Sequence, residues 1–406
     1  MPTDPSEIRV LGPLSAFTAG FAVELARQGY TPRGVCGHLW RLAQLSRWLA
    51  SERLGVEKLH MIEVDRFLLA RRAAGYQVSL SINGMQPILS YLRNLGVAPA
   101  LQPPMPSGPV EVVLERYRNY LTVERGLVRQ VARGYVNAVR PFLRGRVSLN
   151  GLALDLEHLC AADVITFVVA HCPDQNRGAA KLTVTALRSL LRFLYVDGAI
   201  KQSLISAVPS VVRRRLAGLP KGLDAAQVQW LLASCDHRTP KGRRDLAILT
   251  MLVRLGMRAG EVAALRLDDI DWRTGELVVR GKGNCIERLP LPTDVGEAVA
   301  AYLCCGRRAS AQDQTVFVRT RTPHRALSPA GLSNIVAAAA RRAELGQFYA
   351  HRLRHTAATQ MLRAGASLPE IGQVLRHRQA LTTAIYAKVD REALRTIARP
   401  WPGDVA

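Results

Sequence analysis

Four short clusters in the last part of the chain hold residue types that can act together on a phosphodiester. In chain order they are an arginine in Gly-x-Arg-x-x-Glu, a lysine between two glycines, a His-x-x-Arg pair, and a histidine followed nine residues later by a tyrosine. Arginine offers a planar fork of donors to phosphate, histidine exchanges protons near neutral pH, and a tyrosine oxygen can act as a nucleophile. The candidate catalytic residues are therefore Arg258, Lys282, His351, Arg354, His377 and Tyr386.

The spacing of these residues predicts how they would work. His351 and Arg354 are three residues apart, so on a helix they share one face. Arg354 and Arg258 can clamp one phosphate between two guanidiniums and stabilise the extra charge of a pentacovalent transition state. Attack by the Tyr386 oxygen yields a phosphotyrosine linkage that conserves the bond energy for rejoining. A tyrosine with an ordinary pKa of about 10 needs a proton acceptor or a strong positive field to attack.

Each of these residues has an ordinary interpretation when taken alone: a surface arginine, a structural histidine, a turn lysine, a half-buried tyrosine. The four clusters together, in this order and with the His377-to-Tyr386 spacing, resemble the tyrosine recombinase (phage integrase) family, which includes Xer-like and transposon integrases. The resemblance implies that His351 assists as a base, that His377 hydrogen-bonds the scissile phosphate, and that Lys282 protonates the departing 5′ oxygen.

The same resemblance implies a site-specific DNA recombinase that cleaves and rejoins strands through a 3′-phosphotyrosyl intermediate, without metal, cofactor or external energy. The expected biological role is integration, excision or transposition of a mobile element. The expected partner is double-stranded DNA with specific recombination sites, bound by a tetramer that holds two sites together. Two alternatives stay open: a type IB topoisomerase, which acts as a monomer on one duplex, and a non-catalytic DNA-binding accessory protein.

Three further residues in or next to these clusters are interpreted separately. Arg376 stands where the family usually has glycine, and we expect it either to contact a phosphate or to change how Tyr386 is presented. Glu261 is expected to anchor Arg258 or to cap its helix locally. His355 is expected to support the helix that carries His351 and Arg354.

The charge of the chain favours a polyanionic partner. Its 55 Lys and Arg against 32 Asp and Glu give a formal net charge of +23. Because basic residues occur along the whole chain, the pattern is typical of a protein that surrounds DNA and displaces its counterions. Besides Arg376, the basic residues predicted to contact DNA lie in one proline- and glycine-containing run and are Arg213, Arg214, Arg215 and Lys221.

Two breaks divide the 406 residues into three predicted domains. Prolines are dense in 101–109, and prolines, glycines and three arginines interrupt 209–223. The first domain (1–100) and the second (110–208) both show helical spacing and both carry Val-x-x-Phe, 100 residues apart, which indicates either a duplication or similar core requirements. The second domain is similar in position to the family's core-binding DNA domain, and the first is expected to contact DNA or another protomer.

The third domain, 220–406, changes character. Helical patterns cover 245–254, a stretch starting at Ser328, and 351–365, while 275–280 and 287–291 predict a β-hairpin around a glycine-rich turn. The predicted fold class is thus mainly α, multidomain, with a small antiparallel sheet in the integrase-type catalytic domain. Residues 391–398 are a candidate helix for docking onto a neighbouring protomer.

Cysteine usage and apolar runs point to the compartment. The seven cysteines show neither a CxxC spacing nor histidines at zinc intervals, so they are expected to be thiols in a reducing compartment. The chain shows no signal-peptide pattern and no apolar run of about 20 residues, the length that spans a bilayer. The sequence therefore predicts a cytoplasmic protein with no membrane association, no metal and no small-molecule substrate.

Overall fold

The computed structural model describes residues 4–77, 81–100, 108–148, 150–210, 222–281, 286–307, 314–376, 383 and 386. The chain packs as two compact units, one formed by Met1–Ala100 with Leu216–Ala406 and the other by Leu101–Arg215. For description we distinguish an amino-terminal module (residues 4–100), a central module (108–210), and a carboxy-terminal module (222–376 with Thr383 and Tyr386). Each module has a buried apolar core of its own.

The amino-terminal module is a bundle of four helices. The first long helix begins where the Thr31 hydroxyl accepts the Gly34 amide and Pro32 fixes the first turn. Val64 and Phe67, the Val-x-x-Phe pair of this module, are buried. The helices are α1 (Thr18–Arg27), α2 (Pro32–Ser51), α3 (Met61–Ala73) and α4 (Ile82–Asn94).

The described residues of the central module also form four α-helices. A π-helical turn, Tyr120–Glu124, follows the first of them. Asn176 caps the last helix by accepting the Ala179 amide. The helices are α5 (Pro109–Asn119), α6 (Arg129–Arg144), α7 (Ala161–His171) and α8 (Arg177–Val196).

The carboxy-terminal module packs helices around α10, whose residues 247–253 are all buried. A three-stranded antiparallel sheet in the order β1-β2-β3 lies within the same core. The helices are α9 (Ala225–Ala233), α10 (Pro240–Arg254), α11 (Ala259–Ala264), α12 (Thr293–Cys305), α13 (Pro329–Arg342), α14 (Ala350–Arg363) and α15 (Leu368–Val374). The strands are β1 (Ile270–Asp271), β2 (Glu276–Arg280) and β3 (Ile286–Pro290).

The fold class expected from the sequence is confirmed: the described residues are mainly helical, with one small antiparallel sheet. Gly256 ends the 245–254 helix in the left-handed region, at φ +58°. The Ser328 hydroxyl caps α13 by accepting the Gly331 amide, and β2 pairs with β3 as the expected hairpin. Among the described helices, none combines the length and apolar character that crossing a bilayer requires.

Candidate functional site

Arg258 sits at the start of α11 and is held there by Glu261. The Arg258 amide donates to Glu261 Oε2 at 2.8 Å, and its Nη1 donates to Oε1 at 2.6 Å, so one carboxylate both caps the helix and anchors the guanidinium. Both roles expected for Glu261 are thus confirmed. Burial acts to raise the pKa of Glu261, but the Arg258 amide and the Arg376 and Arg258 guanidiniums outweigh it and leave that pKa lowered.

Arg354, on α14, is buried and ties together two segments that are distant in sequence. Its Nη1 donates to the Gly256 carbonyl at 2.6 Å, and its Nη2 donates to the Leu375 carbonyl. Burial, followed by the charges of Arg258 and Arg376, lowers the pKa of Arg354 to about 10. The side chain therefore remains a cation at neutral pH.

Both candidate phosphate-binding arginines converge on the backbone just before His377. Arg258 Nη2 donates to the Arg376 carbonyl at 3.1 Å, beside the Leu375 carbonyl that Arg354 holds. The approach of the chains is close, since a side chain on Gly256 would place its Cβ 2.4 Å from Leu375 Cδ2. Two guanidiniums thus lie within one small region, as a clamp on a single anion requires.

His351 and His355 form the histidine face of α14. Their rings lie one helical turn apart, edge to face, with centroids separated by 4.4 Å. Desolvation, and then the charges of Arg354 and Arg258, lower the pKa of His351. His351 is therefore neutral at pH 7 and able to accept a proton.

Tyr386 is buried, with 2% of its surface exposed, and its hydroxyl contacts His355. The Tyr386 Oη lies 2.8 Å from His355 Nδ1, and the ring packs in a small apolar cluster with Ala358 and Ile371. Burial raises the pKa of Tyr386 to about 12, against the opposing charge of Arg354. Burial also lowers the pKa of His355 to about 4, so a neutral phenol and a neutral imidazole share this hydrogen bond at pH 7, with the donor set by the His355 tautomer.

This contact gives His355 a position that the sequence did not suggest. We expected the residue to support its own helix, yet its ring reaches the candidate nucleophile 31 positions further along the chain. The position on one helix face could be read from the i, i+4 spacing of His351 and His355. The tertiary contact with Tyr386 could not, because it depends on how a distant segment packs.

Arg376 lies inside the protein, and the phosphate contact suggested for it does not match this placement. Its Nη2 donates to Glu261 Oε2 at 2.7 Å and its Nη1 to the Val374 carbonyl at 3.0 Å, with the side chain 3% exposed. Its backbone φ of +56° lies in the left-handed region that glycine adopts readily. Arg376 therefore keeps the backbone angle that glycine favours and uses its side chain to share Glu261 with Arg258.

Several predicted site residues lie outside the described residues. These are Lys282, His377, Arg213, Arg214, Arg215 and Lys221, together with the 391–398 segment. The described residues stop at Gly281 on one side of the hairpin tip, next to Arg280, which pairs with the buried carboxylate of Asp269. The base of the hairpin that leads to Lys282 is thus anchored to the core.

Comparisons with known sequences point to one family. A profile described as "Phage integrase family" matches residues 221–393. The chain is 38% identical over 400 residues to the putative integrase/recombinase y4rA of Sinorhizobium fredii, covering 97% of this chain and 96% of that protein. It is 28% identical to the tyrosine recombinase XerC of Bacillus licheniformis, over 70% of this chain and 94% of that protein.

Solved structures show the same fold at lower identity. A lambda integrase dimer bound to a COC' core site superposes with a TM-score of 0.53 at 18% identity, covering 80% of this chain and 89% of that one. The XerH recombinase bound to a palindromic difH substrate superposes with a TM-score of 0.55 at 16% identity, covering 82% and 93%. The likeness therefore extends well beyond the carboxy-terminal module.

Proposed function

The chain belongs to the phage integrase family of tyrosine recombinases, enzymes that transfer DNA strands, and we propose that Tyr386 is the residue that carries the cleaved strand. The observation that supports this best is the convergence of Arg258 and Arg354 on the backbone of 375–376. The same helix that carries Arg354 also carries His355, which contacts the Tyr386 hydroxyl. One arginine of the anion clamp and the contact to the nucleophile thus lie on the same helix, α14.

Arg258 and Arg354 are proposed to bind the non-bridging oxygens of the scissile phosphate. A guanidinium carries five N–H donors, and the contacts to Gly256, Leu375, Arg376 and Glu261 leave further donors on both groups. Because both arginines are fixed by these contacts before DNA arrives, little reorganisation is needed as charge develops on the phosphate. The clamp would stabilise the pentacovalent transition state more than the bound diester.

The proposed chemical step forms one bond and breaks one bond at phosphorus. The Tyr386 oxygen attacks, its proton passes to neutral His351, and the bond from phosphorus to the 5′ oxygen breaks. Lys282 gives a proton to that departing oxygen, and His377 donates a hydrogen bond to the phosphate. The product is a 3′-phosphotyrosyl linkage, and reversal with a different 5′ hydroxyl rejoins the strand with no external energy source.

The free chain holds Tyr386 in a state that cannot attack. The hydroxyl is buried and hydrogen-bonded to His355, and burial keeps its pKa near 12. We propose that DNA binding exposes Tyr386 and places it within the field of Arg258 and Arg354. That field would lower the pKa of the phenol and favour loss of its proton.

The partners proposed for this chain follow from the family and from its charge. The substrate is double-stranded DNA with specific recombination sites, contacted by the central module and by Arg213, Arg214, Arg215 and Lys221. Four protomers hold two sites together, with 391–398 docking onto a neighbouring copy. The biological outcome is integration, excision or transposition of a mobile element.

A nicked suicide substrate tests the proposal. Cleavage beside the nick releases a short strand that cannot rejoin, so the protein stays covalently attached to DNA and migrates slowly on a denaturing gel. We expect the adduct with the wild-type chain and none with Tyr386→Phe, while both bind the uncleaved site with equal affinity. Adduct formation by Tyr386→Phe would refute the assignment.

A further inference from the structure

The amino-terminal and central modules repeat one another in their buried positions. Residues Val56, Leu59 and Val64 correspond to Leu156, Leu159 and Val164, and all six are buried. The ends of α4 and α8 also agree: Gly96 and Gly198 have φ of +73° and +77°. The two amides after each glycine turn back to one carbonyl, that of Leu92 in the first module and of Leu194 in the second.

The correspondence extends to the first two helices of each module. An aromatic pair joins the first helix to the last: Phe21 and Tyr91 lie 5.2 Å apart at 39°, and Tyr117 and Phe193 lie 5.5 Å apart at 41°. Along the second helix, buried Val35, Leu39, Leu42 and Leu45 of α2 match buried Ala132, Val136, Val139 and Phe142 of α6. These matches set the register between the two modules.

In that register, the basic residues of the central module have few counterparts in the amino-terminal one. On α6 and α8 we compare six arginines that are exposed or partly exposed, of which Arg140 and Arg188 also make contacts within the central module. Their counterparts on α2 and α4 are mostly uncharged, and two of them, Cys36 and Ala43, are buried. The pairs are Arg129 with Pro32, Arg133 with Cys36, Arg140 with Ala43, Arg144 with Arg47, Arg188 with Gln86, and Arg192 with Ser90.

Three arginines of the amino-terminal module make contacts within it. Arg27 pairs with Glu24, and Arg66 pairs with Glu52. Arg71 is buried over the aromatic rings of Trp40 and Tyr76. A DNA-binding face needs several clustered cations that point outwards. At most of the compared positions on α2 and α4, this module has an uncharged residue instead.

The face of α4 that corresponds to the Arg192 face of α8 lies against the carboxy-terminal module. A polar cavity of about 590 Å³ separates Ser90 and Asn94 of α4 from His324 and Arg325. At the edge of this region the approach is close, since a Cβ on Gly29 would lie 2.6 Å from His324 Cδ2. Ser90, the counterpart of Arg192, thus lines the same cavity as Arg325. An arginine at position 90 would be repelled by Arg325.

We propose that the amino-terminal module is a copy of the central, DNA-binding module that has become a protein-docking module. Its partner is the 323–325 segment of the same chain. This inference rests on the proposed function, because it takes the central module to contact DNA. Loss of the basic residues removes the affinity for phosphate, and a small neutral residue at position 90 allows Arg325 to approach.

In the full-length chain, the salt dependence of DNA binding distinguishes the contributions of the amino-terminal and central modules. Each phosphate contact contributes about −0.9 to the slope of log K against log salt concentration. We expect Arg133→Gln with Arg192→Gln to make the slope less negative by about 1.8, and the matched pair Arg33→Gln with Arg47→Gln to leave it unchanged. All four side chains are exposed, so folding should be unaffected.

An equal change of slope for the Arg33/Arg47 pair would overturn the proposal and make the amino-terminal module a DNA-binding one. A slope unchanged in both variants would contradict the DNA-binding role of the central module, which belongs to the proposed function. The docking proposal would then be decided by hydrogen exchange alone.

Hydrogen exchange tests the docking directly. Ser90→Arg places a cation against Arg325, so amides in 324–327 and at the end of α4 should exchange several-fold faster than in the wild type. Adding Arg325→Glu to Ser90→Arg should restore the slow exchange, which also shows that the single variant was folded. Exchange that is unchanged in Ser90→Arg, or that is not restored in the double variant, would overturn the docking proposal.

Discussion

The Tyr386 hydroxyl and the Arg376 guanidinium are both buried polar groups, and each is bound to one side chain. Tyr386 is hydrogen-bonded to His355, and Arg376 donates to Glu261. Removing one partner of such a pair leaves a desolvated group unsatisfied, whereas removing both can cost little. This asymmetry allows the two contacts to be measured one by one.

For His355 and Tyr386, the prediction is a favourable coupling. His355→Phe alone should lower the free energy of unfolding by about 1–3 kcal/mol, since the buried phenol loses its hydrogen-bond partner. In the double variant His355→Phe with Tyr386→Phe, much of that loss should be recovered. Urea unfolding of the four proteins gives the double-mutant cycle. Additive losses would show that the hydrogen bond is absent in solution.

For Glu261, the prediction is a large loss of stability. Glu261→Gln leaves the Arg376 guanidinium, only 3% exposed, without its counter-charge, which typically costs about 3–5 kcal/mol. The matched control is Glu276→Gln, whose partner Arg288 is 73% exposed, and there the loss should be at most about 1 kcal/mol. Equal losses in the two variants, measured by urea unfolding, would contradict the burial of the Arg376 pair.

The lowered pKa of Glu261 also predicts a pH dependence. Because the folded-state pKa lies below the ordinary value of 4.5, its contribution to stability is present above pH 4.5 and is lost as the pH falls through the folded-state pKa. Glu261→Gln should therefore lose less stability than the wild type between about pH 5 and pH 3. Parallel pH profiles for the two proteins would show that Glu261 does not titrate in this way.

At the scale of elements, the parts that the sequence predicted are those with local causes. Helix starts at Ser328 and the helix stop at Gly256 follow from capping and left-handed geometry within a few residues. The β2–β3 hairpin follows from two β-type runs around glycines. The burial of Arg376 could not be predicted, because its partner Glu261 is 115 positions away and an arginine by default lies at the surface.

The hairpin base carries a prediction at this scale. Asp269, 3% exposed, holds Arg280 at the end of β2, two residues before Lys282. Asp269→Asn should weaken that anchor and slow strand cleavage by about 10–100-fold, because a small displacement of a proton donor is costly. DNA affinity should be unchanged.

Asp271→Asn is the matched control for the hairpin. Asp271 is exposed and accepts hydrogen bonds from Arg273 and Thr274 in a turn, so its loss should leave the cleavage rate within about twofold of the wild type, as for most surface changes. Single-turnover cleavage of the nicked substrate measures both variants. Equal rates for the two would show that the Asp269 anchor does not position the hairpin.

At the scale of the whole molecule, the net charge of +23 does not tell which modules contact DNA. The sequence indicated basic residues along the chain and a repeated Val-x-x-Phe. It did not decide whether the first module contacts DNA or another protein surface. Only the register of buried residues shows which surface positions correspond, and hence that Ser90 stands where the central module has Arg192. Charge counted by composition cannot make that distinction.

The central claim is that Tyr386 becomes covalently joined to DNA. After reaction with a nicked site, tryptic digestion and mass spectrometry identify the peptide that carries the nucleotide. Cleavage after Arg378 and Lys388 releases residues 379–388, in which Tyr386 is the one tyrosine. We predict that the nucleotide mass is found on this peptide and is absent with Tyr386→Phe. Nucleotide attached to any other peptide, or adduct formed by Tyr386→Phe, would contradict the proposed mechanism.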